Sequence, residues 1–336
     1  TRAWVWALSS TPTFRNGRNV AVSWLGVSAG LWCINSDAEG DQGKLLTINT
    51  NGGRLFQTDR QPDGSHIVRE DPTQPGGFGI GDIRVTDALM IVLARLDIEG
   101  GVVPILERQS TSGRAALYSF AEALRRGVQA ELDVDPSEVT VGLQPRRAGD
   151  VVTAGIYVAD QLENGAGYAS ELGRGDRLVR VVARIADDLG AIWSAASHQS
   201  CDSSCPDCLR SYDNRHLHPM LDWRLALDIA ELALGRRASA DRWAPITRRT
   251  TEQFADAFSD SLGHIEVGKQ AGVSFVAHGQ RVVGLGHPLW RADSMSVTNP
   301  RGVFVASMTG NGRIATVVDG RLAAAFPEKI FRELQA

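Results

Sequence analysis

The chain has 336 residues, 43% hydrophobic and 22% charged, with 35 Gly and 13 Pro, which suits two or three ordinary globular cores and excludes disordered, collagenous and coiled-coil classes. Net charge is −4, from 35 Lys and Arg against 39 Asp and Glu, so bulk charge does not mark a nucleic-acid-binding protein; Arg125, Arg126, Arg146 and Arg147 are the candidates for a locally basic face. The longest apolar runs, at 88–94 and 151–159, fall short of the about 18 residues needed to cross a bilayer, and no charged-then-apolar leader opens the chain, so a cytoplasmic protein without a membrane partner is expected.

In chain order, short apolar bursts at 20–27, 31–34 and 45–48, separated by Gly, Asn and Asp, predict strands. Residues 57–81 are polar and rich in Pro and Gly, which predicts a loop, and residues 84–93 predict a strand. Over 112–132, Ala116, Leu117, Phe120, Ala121, Leu124, Val128 and Leu132 recur at mostly three- and four-residue steps, the period of an amphipathic helix. Strands follow at 139–143 and 155–159 around a turn at 145–150. Two further helices run over 178–189 and 221–234, ended by Gly190 and Gly235. Beyond Trp243 one short helix is expected near Phe254. The texture then turns β-like at 273–277, 282–285, 303–308 and 314–318, with turn pairs Asn311-Gly312 and Asp319-Gly320, before a closing helix from Pro327 to Leu334. The expected fold class is α/β in the mixed α+β sense: a zinc-stabilised helical and strand core over 84–240, flanked by β-rich segments over 1–83 and 241–336, the latter with a final helix.

Three of the four cysteines, Cys201, Cys205 and Cys208, fall within eight residues, and Cys33 stands far away. An odd local cluster is metal arithmetic, not disulfide arithmetic. Cys205-x-x-Cys208 is a zinc-knuckle spacing, a tight turn that lets two thiolates face one cation, and Cys201 adds a third ligand. A structural site wants a fourth. His218, at the entrance to the 221–234 helix, is the first choice, with His216, His198 and Cys33 open behind it; Arg210 or Arg215 would offset the excess negative charge. A catalytic zinc is not favoured, since the His-x-Glu of a deaminase would precede the cysteines, whereas His264-Ile-Glu266 follows them.

The run Asp160-Gln-Leu-Glu-Asn-Gly165-Ala-Gly167-Tyr168, the Cys-x3-Cys-x2-Cys cluster, and Cys208-Leu-Arg-Ser-Tyr212-Asp-Asn214-x3-His218-x2-Leu221-Asp222 together resemble the MrfA-like zinc-binding domain found at the C-terminal ends of many superfamily-two helicases. The second signature is most similar to DrmB-type proteins of the DISARM antiphage system. The resemblance covers about residues 84–235. It implies a structural zinc, a four-cysteine site where this cluster holds three, and a helicase or other defence-complex subunit as partner, with DNA as a further partner.

No complete Gly-x4-Gly-Lys-[Ser/Thr] loop is present, because Gln270 follows Gly263-x4-Gly268-Lys269, so no ATP hydrolysis by this chain alone is expected. The Gly165 to Gly167 turn between a strand and a helix offers backbone N–H groups for a phosphate, and Gly165, Gly167, Arg210 and Arg215 are the nucleic-acid-binding candidates. Thr1 in first place, where methionine would begin a complete protein, suggests a portion of something longer. The expected function is a non-catalytic, zinc-stabilised region of a helicase-related or DISARM-type defence protein that supports DNA binding or docks a motor. The alternatives are a metal-dependent nuclease or hydrolase using Asp160 or His287, and a pure interaction scaffold.

Overall fold

The computed structural model describes residues 81–93, 110–148, 151–162, 165–198, 201–236, 238–290 and 299–336, with strands at 5–9, 20–24, 32–34, 45–49, 54–60 and 66–70. The chain forms two compact units: Val20–Val85, and Thr1–Asn19 together with Thr86–Ala336. The first strand, β1 (Val5–Ser9), lies in the larger unit. The smaller unit contains β2 (Val20–Trp24), β3 (Trp32–Ile34), β4 (Leu45–Asn49), β5 (Arg54–Arg60), β6 (His66–Glu70) and β7 (Gly81–Val85). Strands β3 to β6 pair antiparallel in sequence order, and β2 pairs with β7. Most of β5 and all of β6 fall where a loop was expected; Ile67 and Val68 were the β-forming residues inside that polar stretch.

The larger unit continues with β8 (Ala88–Leu93), α1 (Thr111–Leu132), β9 (Val139–Ala148) and β10 (Val151–Asp160). Its antiparallel sheet has the order β1-β8-β10-β9. The β9–β10 hairpin runs through the expected turn as far as residues 148 and 151, because β9 is an edge strand, where Pro145 is tolerated. Helix α1, N-capped by Ser110, lays Leu117, Phe120, Leu124 and Val128 into the core with none more than 1% exposed. Next come α2 (Tyr168–Leu172), α3 (Arg177–Ser194) and α4 (Trp223–Ala233), the last N-capped by the buried Asp222. Helices α1, α3 and α4 pack on one another. A Cβ at Gly127 would lie 2.8 Å from Val181 and 3.0 Å from Ile185, so α1 and α3 close to this distance only because glycine stands there.

The remaining elements are α5 (Ala244–Leu262), β11 (Glu266–Gln270), β12 (Val273–His278), β13 (Arg281–Gly286), α6 (Pro300–Gly310), β14 (Ile314–Asp319), α7 (Gly320–Ala325) and α8 (Glu328–Gln335). Strands β11, β12 and β13 are antiparallel, and β14 returns parallel to β13, a connection that needs a crossover element such as α6. The segment expected to be β-rich thus alternates helix and strand. Residues 303–308 are helical despite their Val and Phe content, because Asn299 caps Gly302 N–H and Pro300 opens the helix. Asp319 likewise caps α7 instead of forming a turn pair with Gly320.

The boundary expected near residue 240 falls inside the larger unit. A buried polar knot crosses it: Asp228 of α4 accepts from Arg242, from Trp243 Nε1 at 2.9 Å and from His287 Nε2 at 3.1 Å, and Arg242 also reaches Glu231 at 3.0 Å. Burial alone would raise the Asp228 carboxyl, but His287, Arg242 and Trp243 together hold it below the ordinary carboxylate value. Helices and sheets are both well represented, so the fold is mixed α and β. Among the described residues no helix is long and apolar enough to cross a membrane.

Candidate metal centre

His198, Cys201, Cys205 and Cys208 converge so that their ligand atoms all lie within 4.8 Å of one another. Among the described residues no other group of three or more His, Cys, Asp or Glu is placed to hold an ion. The two halves of the cluster repeat one turn. Cys201 N–H donates to His198 O at 3.0 Å, and Cys208 N–H donates to Cys205 O at 3.2 Å, so each three-residue step folds its two side chains to the same side. Cys205 N–H also donates to Cys208 Sγ at 3.0 Å, a contact that favours the thiolate.

Helices α1 and α4 carry the cysteine loop. Arg126 of α1 donates to the carbonyls of Pro206 at 2.8 Å, Arg210 at 2.7 Å and Asp207 at 3.4 Å. From α4, Arg224 donates to Asp202 O at 2.6 Å, Trp223 N–H donates to Ser203 O at 2.9 Å, and the Trp223 ring meets His198 edge-on at 5.4 Å. Both ring nitrogens of the buried His198 have no hydrogen-bond partner. Buried polar atoms are nearly always partnered, so an orphaned imidazole beside three thiols has the chemistry of a metal ligand.

The electrostatics agree. Burial pushes the Cys201 and Cys208 thiols up, and at Cys201 the neighbouring thiols add to the effect. Burial, helped by the Arg224 guanidinium, holds His198 below its ordinary value and therefore neutral, the form that ligates. A divalent cation reverses the penalty on the thiols. The donor set of three thiolates and one imidazole is a structural zinc set, and it leaves a single negative charge. Arg126 sits within electrostatic reach of Cys208 and Cys205 and offsets that charge. This role was expected of Arg210 or Arg215. Arg125 and Arg126 form no open basic face, since both turn onto the loop; the Arg146 and Arg147 side chains lie outside the described residues.

His218, the expected fourth ligand, is outside this cluster. Its Nε2 stands 3.0 Å from both Ser211 O and Asn214 Oδ1, an N–H shared by two acceptors. Asn214 in turn donates to Glu122 Oε2 at 2.8 Å and Leu209 O at 2.9 Å. The Asn214 and His218 of the signature therefore shape the loop after the knuckle and do not face the thiols. His216 is exposed, and the Cys33 side chain lies outside the described residues. Replacing His198 with alanine is expected to weaken zinc by more than the about 10- to 100-fold of an outer-shell change, whereas His218→Ala keeps one zinc per chain. Competition with a chromogenic chelator measures both; equal affinities in the two variants would contradict the assignment.

The amides of the Gly165 to Gly167 turn are not free for a phosphate. Asp160 at the end of β10 accepts from Ala166, Gly167 and Tyr168 N–H at 2.7, 2.6 and 3.0 Å and from Ala169 N–H at 2.8 Å. The chain's own carboxylate fills the anion site, and Gly167, at φ 88°, makes the turn that aims these amides inward. Of the other candidates, Arg210 is half-buried with Nε on Ser204 Oγ at 2.9 Å, and Arg215 is exposed, its guanidinium 4.6 Å from the centre of the Tyr212 ring.

Residues 120–209 match the family model of the MrfA Zn-binding domain. This region of the chain is similar to the MrfA Zn-binding domain. The matched span includes Arg126, His198 and all three clustered cysteines, and it ends before His218. The chain is also 33% identical over 123 residues to the Druantia protein DruE of Escherichia coli (strain UMEA 4076-1), a match covering 35% of this chain and 6% of the relative. Two crystal structures of the DUF1998 helicase MrfA, one bound to DNA and AMPPNP and one bound to DNA, are similar at 14% identity. They cover 60% and 66% of this chain and 22% and 26% of theirs, with TM-scores of 0.29 and 0.30. The chain thus spans a small share of each relative. Zinc is the cofactor of the MrfA-type domain, and His198, Cys201, Cys205 and Cys208 are the residues that would hold it.

Proposed function

We propose that this chain is the zinc-stabilised, non-catalytic region of a helicase-type antiphage defence protein, where a rigid cysteine corner guides DNA and docks against the motor. The observation that carries this reading is the cluster of one imidazole and three thiols, bound to α1 by Arg126 and to α4 by Arg224 inside the MrfA Zn-binding match. The likeness to a Druantia protein supports a defence setting, and the DISARM-type signature around Cys208 to Asp222 points the same way. Four protein ligands leave a zinc no open position for water, which supports a structural ion. Asp160 is spent on four amides and His287 is buried against Asp228, so neither is available as a hydrolytic group.

In this reading Arg210 and Arg215, which flank the exposed tip of the loop, contact phosphates. The zinc-loaded chain should bind oligonucleotides, and the Arg210→Glu, Arg215→Glu double variant should lower the slope of log affinity against log salt by about two while keeping its zinc. Fluorescence anisotropy across a salt series reads this. An unchanged slope, or no binding by the parent chain, contradicts it.

A further inference from the structure

We infer that Tyr212 and Arg215 form a stacking platform for an unpaired base of single-stranded nucleic acid. The inference rests on the nucleic-acid reading above and adds to it the kind of strand that the loop takes. Tyr212 is 79% exposed, the most open of the large hydrophobic side chains among the described residues. A ring left that open loses the burial that normally justifies an aromatic residue, so its position calls for a partner. Arg215 lies over the ring at 4.6 Å, a cation–π contact, and this leaves the rest of the ring surface to solvent.

The platform is held rigidly from beneath. Ser211 N–H donates to Asn214 Oδ1 at 2.8 Å, Arg125 donates to Ser211 Oγ at 2.8 Å, and Arg215 N–H closes the turn onto Tyr212 O at 3.3 Å. The buried Glu122 and Asn214 anchor this turn to α1, and Leu209 O ties it to the end of the cysteine knuckle. A tyrosine on a fixed turn stacks at small cost in conformational freedom, since only its two side-chain torsions remain to be ordered.

The surrounding charge selects an anionic partner. Arg210 and Arg215 lie within three residues of Tyr212 in sequence, and the adjacent acid, Asp213, is turned to Arg125 at 3.8 Å. A flat ring with a guanidinium on it and a second arginine two residues before it matches a nucleotide, whose base stacks and whose phosphate pairs. Bases in a duplex are already stacked on each other, so the ring serves an unpaired one.

The test uses the zinc-loaded chain with a short oligothymidylate and with a blunt duplex of the same length. Tyr212→Ala should weaken oligothymidylate binding about tenfold or more, leave the salt slope unchanged and barely alter duplex binding. Tyr212→Trp should restore the affinity and show fluorescence quenching beyond that of the parent chain on binding. If the parent chain binds neither oligonucleotide, both this inference and the nucleic-acid reading fail. If the parent binds but Tyr212→Ala binds as tightly, the platform alone is overturned. The same holds if Tyr212→Ala loses duplex and single-strand binding equally.

Discussion

Removing zinc, or replacing Cys208 with serine, is expected to unfold the 198–222 region and to lower the stability of the larger unit by several kcal/mol. Among the described residues between the end of α3 and the start of α4 the chain has turns and two short 3-10 segments, so little regular hydrogen bonding holds them. What replaces that regularity is the ion. Structural zinc contributes roughly 10–16 kcal/mol in isolated finger peptides, comparable with the about 5–15 kcal/mol that a whole domain has to lose. Without it, three buried or half-buried thiols and an unpartnered imidazole crowd into one pocket, and Cys201, Cys208, Leu209 and Leu217 lose the reason to stay in the core. Hydrogen exchange on the chelated chain should show fast amides across 198–222, while the β11–β14 sheet stays protected. An unchanged melting temperature and unchanged exchange after zinc removal would contradict this.

The second large effect is expected at Asp228. Asp228→Ala removes the acceptor shared by Arg242, Trp243 and His287, and takes from the buried Arg242 guanidinium the fully buried one of its carboxylate contacts with Asp228 and Glu231. Breaking one side of a buried charge pair costs about 3–5 kcal/mol, and urea denaturation should register a loss of that size. The pH dependence has a definite sign. The folded-state value of Asp228 is lowered, so its contribution is complete above the ordinary value of 3.8 and is lost as acid protonates the carboxylate below it. Asp228→Ala should therefore flatten the acid limb of the stability curve. A loss under about 1 kcal/mol with the acid limb unchanged would mean that the knot does not join α4 to the C-terminal sheet.

Much of this was legible in the sequence where one physical signal acted alone. The apolar period of α1, that of the helix expected at 221–234 and the Cys205-x-x-Cys208 turn each follow from local chemistry. Reading failed where composition and capping disagreed. Residues 303–308 have strand-like side chains, yet Asn299 and Pro300 start a helix, and the cap decided. Helix α5 extends over Ala244–Leu262 although only a short helix near Phe254 was expected, because its Thr- and Arg-rich first half hides the apolar period. The histidine that the structure places beside the thiols was missed for a different reason. His218 stands at the entrance to a helix, a plausible position, but His198-x-x-Cys201 repeats the spacing of Cys205-x-x-Cys208, and that repetition was the usable signal. The anchoring by Arg126, about 80 residues before the loop, had no local signature, since long-range contacts leave no trace in spacing.

X-ray absorption at the zinc edge of the purified chain tests the central claim most directly. Three sulfur scatterers at about 2.3 Å and one nitrogen at about 2.0–2.1 Å, unchanged in His218→Ala and lost in His198→Ala, are predicted. A shell that keeps its nitrogen in His198→Ala, or a chain that purifies without zinc, would contradict the account.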